Sequence, residues 1–240
     1  MKKTINIILN TFIFFIISVF AHGLLNAENT PIKVQVTKLR GKAFLTKEKE
    51  KSLIVPGDFL YKGDVVDTEK NSKLEITLPD KSIMRFDELT TFTLKPVTSI
   101  ENQKKIHICL LSGKIWAKIS KCKKQGLFAI STITAITKAC DTVLTINANK
   151  DNSSEINIYQ GEAVVNSINK VKKNYTDKII TESTVISSPD KPEADKWSCI
   201  IKSMQKIIVR SDSNTTEPFR FSSKENPDKW VTWSQNKKSK

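Results

Sequence analysis

Five short runs in this chain alternate apolar and polar residues with a period of two. Ile32, Val34 and Val36 alternate with Lys33, Gln35 and Thr37. Leu74, Ile76 and Leu78 alternate with Lys73, Glu75 and Thr77. Phe92 and Leu94 alternate with Thr91, Thr93 and Lys95, and Ile106, Ile108 and Leu110 repeat the pattern, as do Ile156 and Ile158. A period of two turns one face of a strand to a core and the other to water. Turn residues punctuate the runs at Pro56-Gly57-Asp58, Lys62-Gly63-Asp64, Pro79-Asp80-Lys81-Ser82, Ser112-Gly113 and Gln160-Gly161. Short strands at this spacing predict an all-β, short-stranded β-sandwich or a β-roll of solenoid type. No repeat of fixed length is present, which argues against a long regular solenoid.

One segment departs from the pattern. Between Pro192 and Val209, Trp197, Ile200, Ile201, Met204, Ile207 and Ile208 recur at helical spacing. Pro192 and Glu193 suit a first helical turn. The expectation is one C-terminal amphipathic helix on the β body, followed by a polar tail carrying Phe219, Phe221, Trp230 and Trp233. The domain plan is a leader over 1–27, a β domain over 28–188, and the helix and tail over 189–240.

The leader starts Met1-Lys2-Lys3 and continues as an apolar stretch from Ile5 to Ala21. A positive start, an apolar middle and small residues at the end read as a secretory signal peptide, with cleavage after Ala21 or Ala27. An uncleaved anchor would be the only membrane contact. Export to the periplasm or cell surface follows on either reading. Without Lys2 and Lys3 the chain has 37 basic and 25 acidic residues, a net charge of +12. Only Arg40, Arg85, Arg210 and Arg220 are arginines. A lysine-dominated charge attracts an anionic wall polymer or surface without implying two-pronged phosphate recognition. No nucleic-acid motif accompanies it.

Four cysteines, Cys109, Cys122, Cys140 and Cys199, suggest two disulfides in an exported chain, with connectivity open and free thiols as the alternative. The histidines are His22 and His107 alone. No nucleophile has a base at a recognisable spacing, no carboxylate pair stands out, and no zinc or nucleotide motif occurs. The chain is therefore read as no enzyme, with no catalytic, cofactor or metal residues and an unknown ligand site. The paired Gly-Asp dipeptides read as bends: glycine permits positive φ, and aspartate accepts hydrogen bonds from amides just downstream. Two aspartates six residues apart, with Asp67 nearby, provide too few oxygens for calcium. Trp116 and Glu162 sit at aromatic and turn-flanking positions where a binding role or a structural one is equally open.

Taken in order, these elements resemble the FecR domain, named for the periplasmic part of an iron-dicitrate transport regulator. The resembling pattern has the turns at Gly57-Asp58 and Gly63-Asp64, then Thr68, a strand from Leu74 to Leu78, and the turn Asp80-Lys81-Ser82. It continues through "CLLSGKIWAKI", "AISTITAITKACDTVLTI" and "INIYQGEAVV". The resemblance spans about Val34 to Ser188. Two glycines of the family pattern are replaced: Lys81 stands in the Asp-Gly-Ser turn, and Cys140-Asp141-Thr142 stands where the family has Arg-Gly-Thr. FecR-type transducers place a sigma-factor-contacting segment before their membrane helix, whereas only Met1 to Thr4 precede the apolar stretch here. The resemblance thus implies a free-standing exported binding module, an envelope adaptor or a sensor for another protein or wall polymer. The alternatives are a component of surface signalling for nutrient uptake and a peptidoglycan or polyanion binder.

Overall fold

The computed structural model describes residues 33–95, 106–120, 128–168, 198–211 and 215–222. The leader therefore lies outside the described residues. The described chain is mainly β, with no helix. Its strands are β1 (Val34–Arg40), β2 (Ala43–Lys47), β3 (Glu50–Leu53), β4 (Phe59–Leu60), β5 (Val65–Thr68), β6 (Lys73–Thr77), β7 (Ile83–Phe86) and β8 (Thr91–Lys95). There follow β9 (Ile106–Lys118), β10 (Phe128–Ser131), β11 (Ala135–Ala148), β12 (Ser154–Ser167), β13 (Ser198–Lys202), β14 (Gln205–Val209) and β15 (Phe219–Arg220).

These strands form one open sheet bent double. The bend runs through the three long strands. The first part of β9 pairs with β8 and with β10, and its second part with β7 and β11. The first part of β11 pairs with β10, its second part with β9. Strand β12 pairs with β14 through its first part and with β13 through its second. One arm, which carries His107, thus runs β3-β2-β5-β8-β9-β10-β11-β12-β13. The other, which carries Arg85, runs β4-β1-β6-β7-β9-β11-β12-β14-β15. Ser112-Gly113 and Gln160-Gly161 are therefore bends inside continuous strands and not hairpin turns. Cys109 pairs with Thr93 and Ser131 on one arm, while Trp116 lies on the other.

At the β9 bend Gly113 has a φ of 90°, and a Cβ there would meet the Thr90 Cα at 2.6 Å. Only glycine combines that conformation with that approach. The corner beside it is closed by Thr68, whose Oγ1 donates to the Asp87 carbonyl at 2.5 Å and accepts from the Thr90 amide at 2.9 Å. Phe86 and Phe92, either side of this corner, stack at 3.7 Å. The inward faces of both arms form one core, including Val36, Leu74, Ile76, Ile108, Leu110, Leu144, Ile146, Ile156 and Ile158.

The expected helix is replaced by two successive strands, β13 and β14, which both run antiparallel along the edge of β12, β13 beside its second part and β14 beside its first. Pro192 to Trp197, its first part, lies outside the described residues. Ile201, Ile207 and Val209 are buried and Ile200 is exposed. Both periods fit this apolar set. The long strand β12 presents an unpaired edge, and ladder bonds to it favour the extended form in a segment rich in β-branched isoleucine.

Candidate functional site

The two Gly-Asp turns are built alike. Gly57 and Gly63 have φ of 102° and 91°. Asp58 Oδ2 accepts from the Val55 amide at 2.9 Å, and Asp64 Oδ2 accepts from the Tyr61 amide at 2.8 Å. Each carboxylate thus reaches back three residues, opposite to the downstream bond expected from sequence. With both carboxylates engaged in their own turns, the dipeptides bend the chain.

The outer face of the Arg85 arm is less conventional. Strand alternation would give Glu75 to water, yet Glu75 is 5% exposed and Arg85 3%. Arg85 Nε donates to Glu75 Oε2 at 2.5 Å, and the Lys38 Nζ lies 3.2 Å from Glu75 Oε1. Burial would push the Glu75 carboxyl up, but hydrogen bonding and charge from Arg85, then Lys38, outweigh it and hold the carboxyl below its ordinary range. The Arg85 guanidinium stacks over the Trp116 ring at 4.9 Å. These side chains meet because their residues are paired in register across four strands: Lys38 with Glu75, Glu75 with Arg85, Arg85 with Trp116. Beyond Trp116 the row continues to Thr145 and Asn157. Trp116 is 4% exposed and packs with Ile83, Val143 and Tyr159 in a cluster separate from the main core. Its Nε1 is buried without an acceptor.

The outer face of the other arm brings His107, Cys109 and Ser131 together, because β10 lies parallel beside β9 in that register. His107 Nε2 is 2.9 Å from Ser131 Oγ, and Ser131 also hydrogen-bonds the Cys109 thiol. Burial, reinforced by Lys95, lowers the His107 pKa to about 4. Burial raises that of Cys109, against smaller opposing effects of Ser131 and Lys95. Near neutral pH the group therefore holds a thiol and a neutral imidazole, not an activated thiolate. Cys109 and Cys199 are free thiols. Cys140 is disulfide-bonded, with its partner outside the described residues. The expectation of two bridges thus fails for Cys109 and Cys199. Glu162 is exposed beside the β12 bend. Among the described residues, no three His, Cys, Asp or Glu side chains group as a metal site.

Sequence reasoning missed both outer-face clusters. The available signal was that Glu75, Arg85 and Trp116 occupy outward positions of their strands. What joins them is pairing between strands, which the sequence does not specify.

Residues 64–164 match the family described as FecR protein. This stretch of the chain is similar to the FecR domain. It opens at the second Gly-Asp turn and closes in the outer half of β12, so both outer-face clusters lie within it except for Lys38. No curated protein matches the chain. Two crystal structures of a "putative anti-sigma factor" from Parabacteroides distasonis are similar, at 14% identity and a TM-score of 0.48. The similarity covers 72% of this chain and 65% or 64% of those chains, so this chain spans less than two thirds of their length.

The FecR domain also explains the two lost glycines. Lys81, in the turn after β6, has a φ of 69°, and Asp141, at the β11 bend, a φ of 50°. Both positions keep the left-handed backbone that glycine would favour. The turn is held instead by Asp80, which accepts from the Ser82 amide and hydroxyl at 2.9 Å each. At the bend Thr142, the residue retained from the family pattern, donates its hydroxyl to the Cys140 and Glu162 carbonyls at 2.7 and 2.8 Å.

Proposed function

We propose that this protein is an exported, non-catalytic binding module whose FecR domain serves signalling at the cell envelope. The match to the FecR family over residues 64–164 carries this reading. The geometry is compatible with it. Two arms clamp a single core, and the polar groups of the corners are engaged in holding backbone. The thiol and imidazole on the His107 arm are not activated for nucleophilic attack. Recognition would use the β surface and its strand edges: β3 is exposed along its length and could accept a partner strand, with Glu50 and Lys51 selecting among partners. The partner class is another envelope protein. In-cell crosslinking of the intact chain tests this: recovery of one dominant envelope protein is expected, and recovery of none would remove the reading. If the signalling governs nutrient uptake, deletion of the chain changes the transcript level of an uptake system; unchanged transcripts leave only the adaptor role.

A second reading, a wall-polymer or polyanion binder, is favoured by the net charge of +12 that 37 basic and 25 acidic residues give without Lys2 and Lys3. Retention on purified wall sacculi would then fall steeply as salt rises from 0.01 to about 0.15 M, over which the screening length shrinks from about 30 to 8 Å. No retention at the lower salt would eliminate it.

A further inference from the structure

We propose that the end of the sheet at the Gly113 bend is a lipid-contact surface, where Leu89, Leu111 and Ile133 enter the interface of an anionic membrane. The inference goes beyond the proposed function: its occupant is a bilayer and not an envelope protein, and it holds or fails whichever partner the domain recognises.

Three local devices place one exposed aliphatic side chain at this end of each of three neighbouring strands, β8, β9 and β10. Leu89, in the turn before β8, is 60% exposed with a φ of 54°. That left-handed conformation is unfavourable for a bulky side chain. It is held from both sides, because the Thr68 hydroxyl donates to the Asp87 carbonyl and accepts from the Thr90 amide. Leu111 is 42% exposed. Thr91 pairs with Ser112 and Phe92 with Leu110, so Leu111 is the extra residue of a bulge, which re-aims its side chain. Ile133, 38% exposed, is at the tip joining β10 to β11. The hydroxyls of Thr132 and Thr134, on either side of it, each lie 2.6 Å from Ser154 Oγ. Leu111 and Ile133 stand two residues beyond Cys109 and Ser131, the last partners of parallel β9 and β10. At ordinary strand spacing the three tips fall within about 10 Å.

Single exposed aliphatic residues are ordinary, but three held at one end by strain, a bulge and a hydroxyl lock mark a contact surface. Two properties select lipid. The side chains stand on turn tips and not in a groove, so they need an apolar medium and no complementary shape. The charge around them is also complementary to anionic headgroups. Ser72 packs on Gly41, Ala148 pairs with Gly113, and Val209 pairs with Ser154, so the segments around these residues meet at this end. Among the described residues they expose Arg40, Lys42, Lys70, Lys150 and Arg210 against Glu69, Glu88 and Asp151. The Glu88 carboxylate is engaged by the Asn71 amide, and that of Asp151 by the Ser153 amide and hydroxyl. Cations therefore prevail around the three tips, and apolar side chains flanked by lysine and arginine suit the boundary of an anionic bilayer.

The test uses the exported chain with its leucine and isoleucine methyl groups labelled for NMR. It is mixed with bicelles of phosphatidylethanolamine and phosphatidylglycerol that carry a nitroxide-labelled lipid. The Leu89, Leu111 and Ile133 methyl signals should broaden about fivefold more than that of Ile200, which is 56% exposed on the edge strand β13. The excess should fall by about half when phosphatidylcholine replaces phosphatidylglycerol, and likewise in the K70E/K150E variant. Equal broadening at Ile200 and at the three tips, no broadening at the tips, or broadening unchanged without the anionic lipid overturns the proposal. So does broadening in the absence of lipid that grows with protein concentration, which would assign this end to a second copy. None of these results bears on crosslinking to a protein partner, so the two readings fail separately.

Discussion

Glu75 and Arg85 are the residues whose surroundings depart furthest from their place in the alternation. A carboxylate and a guanidinium in a buried pair leave an uncompensated charge when either is removed, so Glu75→Ala is expected to cost about 3–5 kcal/mol by denaturant unfolding. Replacing both, as Glu75→Leu with Arg85→Met, should restore most of that loss, because no charge is then left without its partner. Lys81 and Asp141 offer the opposite test. Each occupies a left-handed conformation that costs an L-residue about 1 kcal/mol relative to glycine, so Lys81→Gly and Asp141→Gly are each expected to leave stability unchanged or raise it by up to that amount. Gly113→Ala at the β9 bend should cost about 2 kcal/mol or more, because positive φ and the contact with Thr90 oppose it together. His107 makes a residue-scale prediction about pH. The unfolded imidazole binds its proton near pH 6.5 and the folded one only near 4, so the unfolded chain holds more protons between those values. The stabilisation is complete above pH 6.5 and lost as pH falls towards 4, and His107→Gln should flatten that stretch of a stability–pH profile by on the order of 2 kcal/mol.

At the scale of elements, the two Gly-Asp turns differ only in their surroundings. Asp64 is 5% exposed and lies within 3.7 Å of the Lys47 Nζ, whereas the Asp58 bond is at the surface. Asp64→Ala should therefore cost about 2 kcal/mol and Asp58→Ala less than 1 in thermal or denaturant unfolding, since an amide bond to a buried carboxylate is the stronger of the two. The pair of strands β13 and β14 along the β12 edge was the element least legible beforehand. Ile200, Ile201, Ile207 and Ile208 satisfy a helical stripe and an alternating strand equally well. Local pattern cannot weigh the edge of β12, some 40 residues earlier, whose amides and carbonyls need partners. The bends at Gly113 and Gly161 were legible as interruptions of regular structure. Whether an interruption reverses a strand or folds it over depends on which strands lie on either side.

Across the whole molecule, the bent sheet closes two arms on one core, and the covalent framework is smaller than four cysteines suggest. Thiol titration of the unfolded, unreduced protein should return two free thiols per chain, and Cys140→Ser should lower stability by about 2–4 kcal/mol while Cys199→Ser leaves the bridge in place. The alternation of Val34 and Val36, Leu74 and Ile76, Ile108 and Leu110, and Ile156 and Ile158 determined by itself that the chain is β-rich and which side chains enter the core, because a pleated strand has only two faces. The Gly-Asp turns, Thr68 and the closing Gly161 strand likewise made the FecR domain recognisable, because backbone geometry at turns restricts residue choice locally. Only the tertiary structure decided that Glu75, Arg85 and Trp116 form one buried row, that His107 meets Ser131 and Cys109, and that the last isoleucines extend. Each of these depends on which strand lies beside which, and that is set by hydrogen bonding and burial between segments far apart in the chain.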